Sequence, residues 1–247
     1  MSGFDEAAPV YELRRPSYPD EAVTCLVDRL DITHSSTVLD LAAGTGKLTR
    51  LLDPHAGAVI AVEPVDGMRE ILKLHVPKAE VLDGRAEAIP VESDSVDAVT
   101  IAQAFHWFAE SRVLKEIARV LLPGGHLGLI WNVRDETQPA QAAFTAILDR
   151  HRVGTPTFHT SRWEALFDDS RWFTPIESAA FSYTHWLDRV GFYELVKSIS
   201  YMSGLSPAAD ERIVEDVGRL FDGLTEFDDE GRAPLDYTTR VYWSRLR

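Results

Sequence analysis

The residues best suited to chemistry gather between positions 38 and 63. "VLDLAAGTGKLT" sets Gly44 and Gly46 behind an apolar run, with Asp40 just ahead of them. Glycines let a backbone approach a ligand closely and adopt left-handed conformations. The stretch is therefore a candidate cradle for a nucleoside triphosphate, a dinucleotide or another adenosine-bearing cofactor. A triphosphate loop of the form G-x-x-x-x-G-K-[ST] needs a glycine where this chain has Leu41 and a hydroxyl where it has Leu48. Without that hydroxyl a magnesium ion loses a ligand, so this pattern fails. A dinucleotide loop G-x-G-x-x-G nearly fits, with Thr49 in place of the last small residue. Glu63 comes 17 residues after Gly46, at the end of the next apolar run. A carboxylate there suits the two hydroxyls of a ribose and repels a 2′-phosphate. It favours adenosine without separating a dinucleotide from other adenosine cofactors. Asp40, at the end of its own run, either orders the loop or reaches a cationic amino group.

These residues need elements to hold them, and the apolar spacing supplies them. Residues 19–30 predict a helix, with Pro19 at its start and Asp20 and Glu21 at its positive end. "STVLDLA" predicts a strand, "KLTRLLDP" a helical stretch, "GAVIAVEP" a second strand and "DGMREILKLHV" a helix. "AEVLDG" and "SVDAVTIAQAF" are further strands. Val113, Leu114, Ile117, Ala118 and Leu121 draw one stripe along a helix over 110–122. "PGG" at 123–125 then turns the chain into a strand, "HLGLIWN". Strands alternating with helices of this length predict an α/β fold, with a mostly parallel sheet covered on both faces. Ligands in such sheets bind beyond the carboxyl ends of the strands. The rhythm changes after Arg134. "QPAQAAFTAILDRHR" and "PAADERIVEDVGRLFDGL" read as helices, "FTPIESAAFSYTHW" and "PLDYTTRVYWSRL" as strands. From Phe158 to Tyr201 lie 11 of the chain's 24 aromatic residues, some of which could wall an apolar substrate pocket. The tail is expected to complete the same sheet and to add a helical and aromatic cover, within one domain.

Composition excludes several classes. The net charge is −14, with 39 acidic against 25 basic residues. No lysine or arginine cluster supplies the basic face that displaces counterions from nucleic acid, so neither nucleic acid nor an anionic membrane is an expected partner. Cys25, the single cysteine, suits a reducing cytoplasm. It reads as a small core residue rather than a nucleophile. No signal peptide and no run of 18 apolar residues is seen in the 247 residues. His151, His159 and His185 lack metal-ligand spacing, and no acid follows the fourth strand, so no metal is expected.

Four segments then agree in order and spacing: "VLDLAAGTGKLTRLL", "VIAVEPVDGM", "GRAEAIPVESDSVDAVTIAQAFHWF" and "VLLPGGHLGLIWN". They resemble the successive motifs of the class I S-adenosylmethionine-dependent methyltransferases. The likeness covers about residues 36–132. "YELRRPSYP" and the tail are similar to one small-molecule branch, the relatives of trans-aconitate methyltransferase.

The resemblance implies a Rossmann-like, doubly wound, seven-stranded sheet in a single domain, 1–247. Residues 1–35 would be a cap and first helix, 36–134 the cofactor core, and 135–247 the substrate cover and final strands. It implies S-adenosyl-L-methionine as cofactor and methyl transfer to an O, N or C nucleophile of a small molecule. Asp40, Ala42, Gly44 and Gly46 would surround the methionine moiety, and Glu63 would accept both ribose hydroxyls. Arg85 and Ala86 would lie at the adenine ring, with backbone amides doing the recognition. Met68 would line the adenosine or be a core methionine, and Gln103 would stand beside the methyl donor. His106 is the candidate general base. Tyr11, Arg15, Tyr18 and Trp107 are the candidate substrate-pocket residues, an arginine there pairing with a carboxylate of cofactor or substrate. Ala42 departs from the family's first loop glycine, which matters only if its backbone is left-handed. An NAD-dependent oxidoreductase and a non-catalytic cofactor-binding protein remain the alternatives, and the oligomeric state is open.

Overall fold

The computed structural model describes residues 2–152, 156–168, 170–199, 202 and 205–247, with side chains from residue 8 onward. Tyr201, the last of the aromatic residues counted above, lies outside them. The chain divides into two compact units. The larger holds Ser17–Asn132, Pro156–Phe181 and Thr239–Arg247; the smaller holds residues 1–16, 133–155 and 182–238.

The larger unit begins with α2 (Asp20–Arg29) and β1 (Thr37–Leu41). There follow α3 (Thr49–Leu52), β2 (Ala58–Val62), α4 (Asp66–His75), β3 (Glu80–Leu82) and β4 (Val96–Ala102). A single 3-10 turn, Phe105–Trp107, precedes α5 (Ser111–Val120) and β5 (Leu121–Arg134). Pro19 opens α2, Asp20 and Glu21 occupy its positive end and Arg29 its negative end. Its apolar residues Ala22, Val23, Leu26 and Val27 face a cluster that includes Val38, Leu48 and Leu52. Cys25 is partly buried against that cluster, and burial pushes its thiol up. Of the stripe expected on α5, Val113, Leu114 and Ile117 are wholly buried, Ala118 is half-buried and Leu121 falls in β5 instead, while Val120 completes the buried face. Residues 121–125 were expected to end that helix and turn. They instead open β5, where the register slips between the Val96–Leu121 and Ala98–His126 pairs.

The smaller unit contains α1 (Ser2–Arg14), α6 (Pro139–Asp149), α8 (Arg189–Lys197) and α9 (Pro207–Asp222). Ser206 caps α9 by accepting the Ala209 N–H. Phe144, Leu148, Phe192, Leu195, Ile213 and Val217 of these helices share one apolar cluster. A short α7 (Ala165–Asp168) belongs to the larger unit. The long strands β6 (Glu177–Leu187) and β7 (Ala233–Arg245), like β5, run from one unit into the other.

The seven strands form one sheet in the order β3-β2-β1-β4-β5-β7-β6. The pairs β1–β2, β2–β3, β1–β4 and β4–β5 are parallel. The doubly wound α/β sheet expected from the sequence is thus observed. The chain lays β1, β2 and β3 outward in one direction and then β4 and β5 in the other. The order reverses between β1 and β4, which is where ligands bind in such sheets.

Candidate functional site

Two non-glycine residues with left-handed backbones mark that reversal. Ala42 follows β1 with φ 58° and Gln103 follows β4 with φ 58°. The left-handed region costs an L-residue about 1–2 kcal/mol, and such strain concentrates at functional sites. The two other non-glycine cases among the described residues, Asp31 and Asp94, are of a type that tolerates it. Ala42 has no polar side chain to compensate. The sequence therefore places an alanine where the backbone demands what glycine gives freely. Replacing Ala42 by Gly relieves that strain, while the greater freedom of glycine in the unfolded chain takes part of the gain back. A net stabilisation of roughly 0.5–1 kcal/mol is expected in urea denaturation. An unchanged or lowered midpoint would contradict a left-handed Ala42.

Beyond Ala42 the loop is held from two sides. The Ala43 N–H donates to the Val62 carbonyl at 3.2 Å, and the Gly44 N–H donates to Glu63 Oε2 at 2.9 Å. Glu63 Oε1 accepts the Val65 N–H at 3.0 Å. Glu63 is 6% exposed, and desolvation raises its carboxyl above the usual range despite those two amide bonds. The Arg69 guanidinium supports the turn by donating to the Glu63 carbonyl at 2.7 Å and to Asp83 at 3.2 Å.

Asp40 lies beneath the loop and is 0% exposed. Its Oδ2 accepts the Thr49 hydroxyl at 2.6 Å and its Oδ1 the Thr100 hydroxyl at 3.0 Å. Burial pushes its pKa up to about 6, against the opposing pull of the two hydroxyls. Of the two roles open to Asp40, loop ordering is the one with partners in place. The same bond explains Thr49, which interrupts the dinucleotide pattern: its hydroxyl satisfies a buried acid at the first residue of α3. Thr49 and Thr100 were missed as site residues. The only hint was a hydroxyl residue in each apolar neighbourhood.

The glycines differ in what they protect. Gly46 has φ 82°, and a Cβ there would stand 2.9 Å from Leu72 Cγ of α4. Gly44 has φ 58°, and a Cβ there would meet nothing within 4 Å. Gly44 thus borders open space at the end of the strands, beside Glu63. Thr45, 1% exposed, carries a buried hydroxyl oxygen with no partner among the described residues. An open-sided glycine, a desolvated carboxylate and an orphaned hydroxyl fit an adenosine-bearing cofactor. Gly46→Ala is expected to cost about 2–3 kcal/mol of stability through overpacking and strain. Gly44→Ala should cost only the left-handed strain, about 1 kcal/mol. If the cofactor lies beside Gly44, this variant should nonetheless weaken S-adenosylhomocysteine binding at least ~10-fold, because its Cβ would enter the ligand's space. Denaturation and ligand titration on the two variants separate these outcomes; equal affinity in wild type and Gly44→Ala would contradict the cradle.

The remaining candidates fall as follows. Met68 is buried on α4. Arg85 bridges to Ala88 in a tight loop after β3, in which Ala86 is buried and the Arg85 side chain exposed. The Gln103 N–H donates to the Ile130 carbonyl at 2.9 Å. His106 lies on the 3-10 turn after β4, its ring 5.4 Å from that of Trp107, which is 46% exposed. The indole N–H of Trp131 donates to His106 Nδ1 at 3.4 Å. Trp131 is itself locked by rings, stacked on Trp163 at 4.8 Å and edge-on to Tyr242 at 5.8 Å. An indole only donates, so a neutral His106 keeps its lone pair at Nδ1 and its proton at Nε2. Base chemistry at Nδ1 requires the Trp131 bond to open.

Tyr18 sits in the apolar cluster around α2. Tyr11 and Arg15 belong to the smaller unit, with the Arg15 guanidinium 5.3 Å from the Tyr11 ring centroid and donating to the Ser198 carbonyl at 3.4 Å. Arg15 Nε is buried without a partner among the described residues. Among those residues no group of three metal-ligating side chains occurs, and no helix is long and apolar enough to cross a membrane.

Comparison with known proteins points the same way. Residues 39–129 match the family model described as a methyltransferase domain. A methyltransferase-like protein of Schizosaccharomyces pombe is 34% identical over 235 residues, covering 95% of this chain and 91% of that one. An uncharacterized methyltransferase of Mycobacterium tuberculosis is 39% identical over 198 residues, covering 80% of this chain and 76% of its own. Among solved structures, a candidate type II methyltransferase of Anaeromyxobacter dehalogenans superposes with a TM-score of 0.67 at 19% identity, covering 94% of this chain and 97% of that one.

Proposed function

The chain belongs to the class I S-adenosylmethionine-dependent methyltransferases, and from that premise we propose that it methylates an O, N or C nucleophile of a small molecule. Bound in the cradle, S-adenosylmethionine supplies a methyl group already activated by the positive charge on sulfur. What is left to the protein is to bind, align and exclude water, and alignment alone can lower a barrier by about 7–11 kcal/mol in good intramolecular models.

The observation that carries the site assignment is Glu63: a desolvated carboxylate at the end of β2, next to the open side of Gly44. We assign it the ribose hydroxyls. Asp40, Ala42, Gly44 and Gly46 shape the loop for the methionine moiety, Met68, Arg85 and Ala86 serve the adenosine, and Gln103 stands at the methyl end. His106 is assigned as the candidate general base toward the acceptor, its Nδ1 being held by the Trp131 indole N–H until that bond opens. An acceptor with an acidic proton then needs no base, and one with a high-pKa proton uses His106 only after that bond opens.

Tyr18 and Trp107 of the larger unit are assigned to acceptor selection; Tyr11 and Arg15 remain candidates within the smaller unit, where Arg15 Nε has no partner among the described residues and suits an anionic group. The net charge of −14 favours a small acceptor over a nucleic acid, and the single cysteine favours a reducing compartment. We take 1–247 as one functional domain because β5, β6 and β7 pass unbroken between the two units. The acceptor class is tested with methyl-labelled S-adenosylmethionine against a panel of small alcohols, amines, carboxylates and enolisable carbonyl compounds, beside transfer RNA and a protein extract. Label in the small-molecule fraction supports the proposal; label confined to RNA or protein would overturn it.

A further inference from the structure

The loop after β3 carries few tools of its own. Between Gly84 and Pro90 its only long polar side chains are Arg85 and Glu87, and both are exposed. Backbone amides and carbonyls must therefore do any recognition of a base edge, and backbone groups recognise only as well as the loop is held. The loop closes on itself through the Arg85–Ala88 bridge and through Pro90, whose Cδ would lie 2.5 Å from a Cβ at Gly84. Side chains of α5 hold it further. Glu116 Oε1 accepts the Ile89 N–H at 2.9 Å. Arg119 donates from Nη2 to the Ile89 carbonyl at 2.9 Å, and from Nη1 to the Val91 carbonyl at 2.9 Å and the Ser93 hydroxyl at 3.2 Å. The two side chains fix each other, with Arg119 Nε on Glu116 Oε2 at 3.0 Å and Nη2 on Oε1 at 2.8 Å. The Arg119 backbone carbonyl accepts the Asp94 N–H at 2.9 Å, so one residue ties both ends of the segment from Ile89 to Asp94.

From this geometry we propose that Glu116 and Arg119 are positioning residues that set the base specificity of the cofactor site, by clamping the loop whose backbone reads adenine. The proposal rests on the cofactor assignment above and deepens it. Neither side chain touches the ligand. Their effect passes through the Ile89 peptide, gripped at both its N–H and its carbonyl, to the buried Ala86 three residues before it. The planar fork of arginine serves two carbonyls and a carboxylate at once, which a lysine ammonium on a flexible stem cannot do. Arg119→Lys keeps the charge and loses the fork.

The test is calorimetric titration of wild type, Arg119→Lys and Glu116→Gln with S-adenosylhomocysteine and with S-inosylhomocysteine, which differs only at the base edge. Wild type should prefer the adenine ligand. Arg119→Lys should bind it about 10-fold more weakly, and the preference over the inosine analogue should shrink by a similar factor. Glu116→Gln, which keeps an acceptor for the Ile89 N–H, should lose less. Amide exchange at Ala86 and Ala88 in the ligand-free protein should quicken in Arg119→Lys, a readout that needs no ligand. A general loss of stability would instead weaken both ligands in parallel and leave the preference intact. An unchanged preference, or a wild type without one, overturns the clamp. A wild type that binds neither ligand overturns the cofactor assignment itself.

Discussion

Glu63→Ala is expected to weaken S-adenosylhomocysteine binding at least about 100-fold, the sum of two charge-assisted hydrogen bonds of roughly 1.5–3 kcal/mol each. The wild-type carboxylate is already desolvated and already oriented by the Gly44 and Val65 amides, so it accepts further hydroxyls without reorganising. Under the ribose assignment proposed above, removing it would leave the ribose unpaired, and it frees the loop end at Gly44. Glu63→Gln is the sharper control. One oxygen of the amide can serve one backbone N–H, and its NH2 group then faces the other, donor against donor. It should lose affinity almost as far as the alanine variant while keeping volume. Isothermal titration of the three proteins measures this, and affinities within threefold of one another would remove Glu63 from the ligand.

Asp40 has the larger consequence for stability, and its sign runs against ordinary acid denaturation. Its folded pKa of about 6 stands above the unfolded value, so the folded state binds the proton more tightly. Burying the charge therefore destabilises the protein fully above the folded pKa. That penalty is relieved as pH falls through 6 and is gone below the unfolded value near 4. The span corresponds to roughly 3 kcal/mol. Measured against Asp40→Asn, which carries no charge, wild type should gain on the variant by that order between pH 7 and pH 4. Using the difference cancels the titration of the other acids. A difference that stays flat, or moves against wild type on acidification, would contradict a buried, charged Asp40. Asp40→Ala should cost about 2–6 kcal/mol at neutral pH, because the Thr49 and Thr100 hydroxyls are left buried without an acceptor, and, having no carboxyl to titrate, it should fall behind wild type on acidification as Asp40→Asn does.

Much of this was legible in the residues. The strands ending at Leu41, Val62, Leu82 and Ala102 follow from short apolar runs with turn residues after them, and α5 from a stripe at helical spacing. Where local signals conflict, the reading fails. Helix α1 carries Pro9 in its interior and no apolar stripe, so its sequence does not announce a helix. The start of β5 hides behind Pro123 and Gly124, residues that ordinarily turn a chain and here occupy a register slip. Helix α8 lies within an aromatic-rich stretch whose composition masks its periodicity.

The site divides in the same way. Gly44, Gly46 and Glu63 announce themselves by type and spacing. The left-handed backbone of Ala42 does not, because nothing in an alanine reports its φ. The Asp40–Thr49–Thr100 triangle and the grip of Arg119 on the loop after β3 join residues that meet only once the sheet is formed. His106 was legible as a titratable side chain, but its fixed lone pair depends on Trp131, 25 positions away.

The most direct test of the whole account is a competition between two ligands for the crevice beside Gly44 and Glu63. S-adenosylhomocysteine and NAD are each titrated against the wild-type chain under identical conditions. S-adenosylhomocysteine is expected to bind and NAD to bind more weakly or not at all. Tighter binding of NAD, or no binding of S-adenosylhomocysteine, would contradict the methyl-donor site.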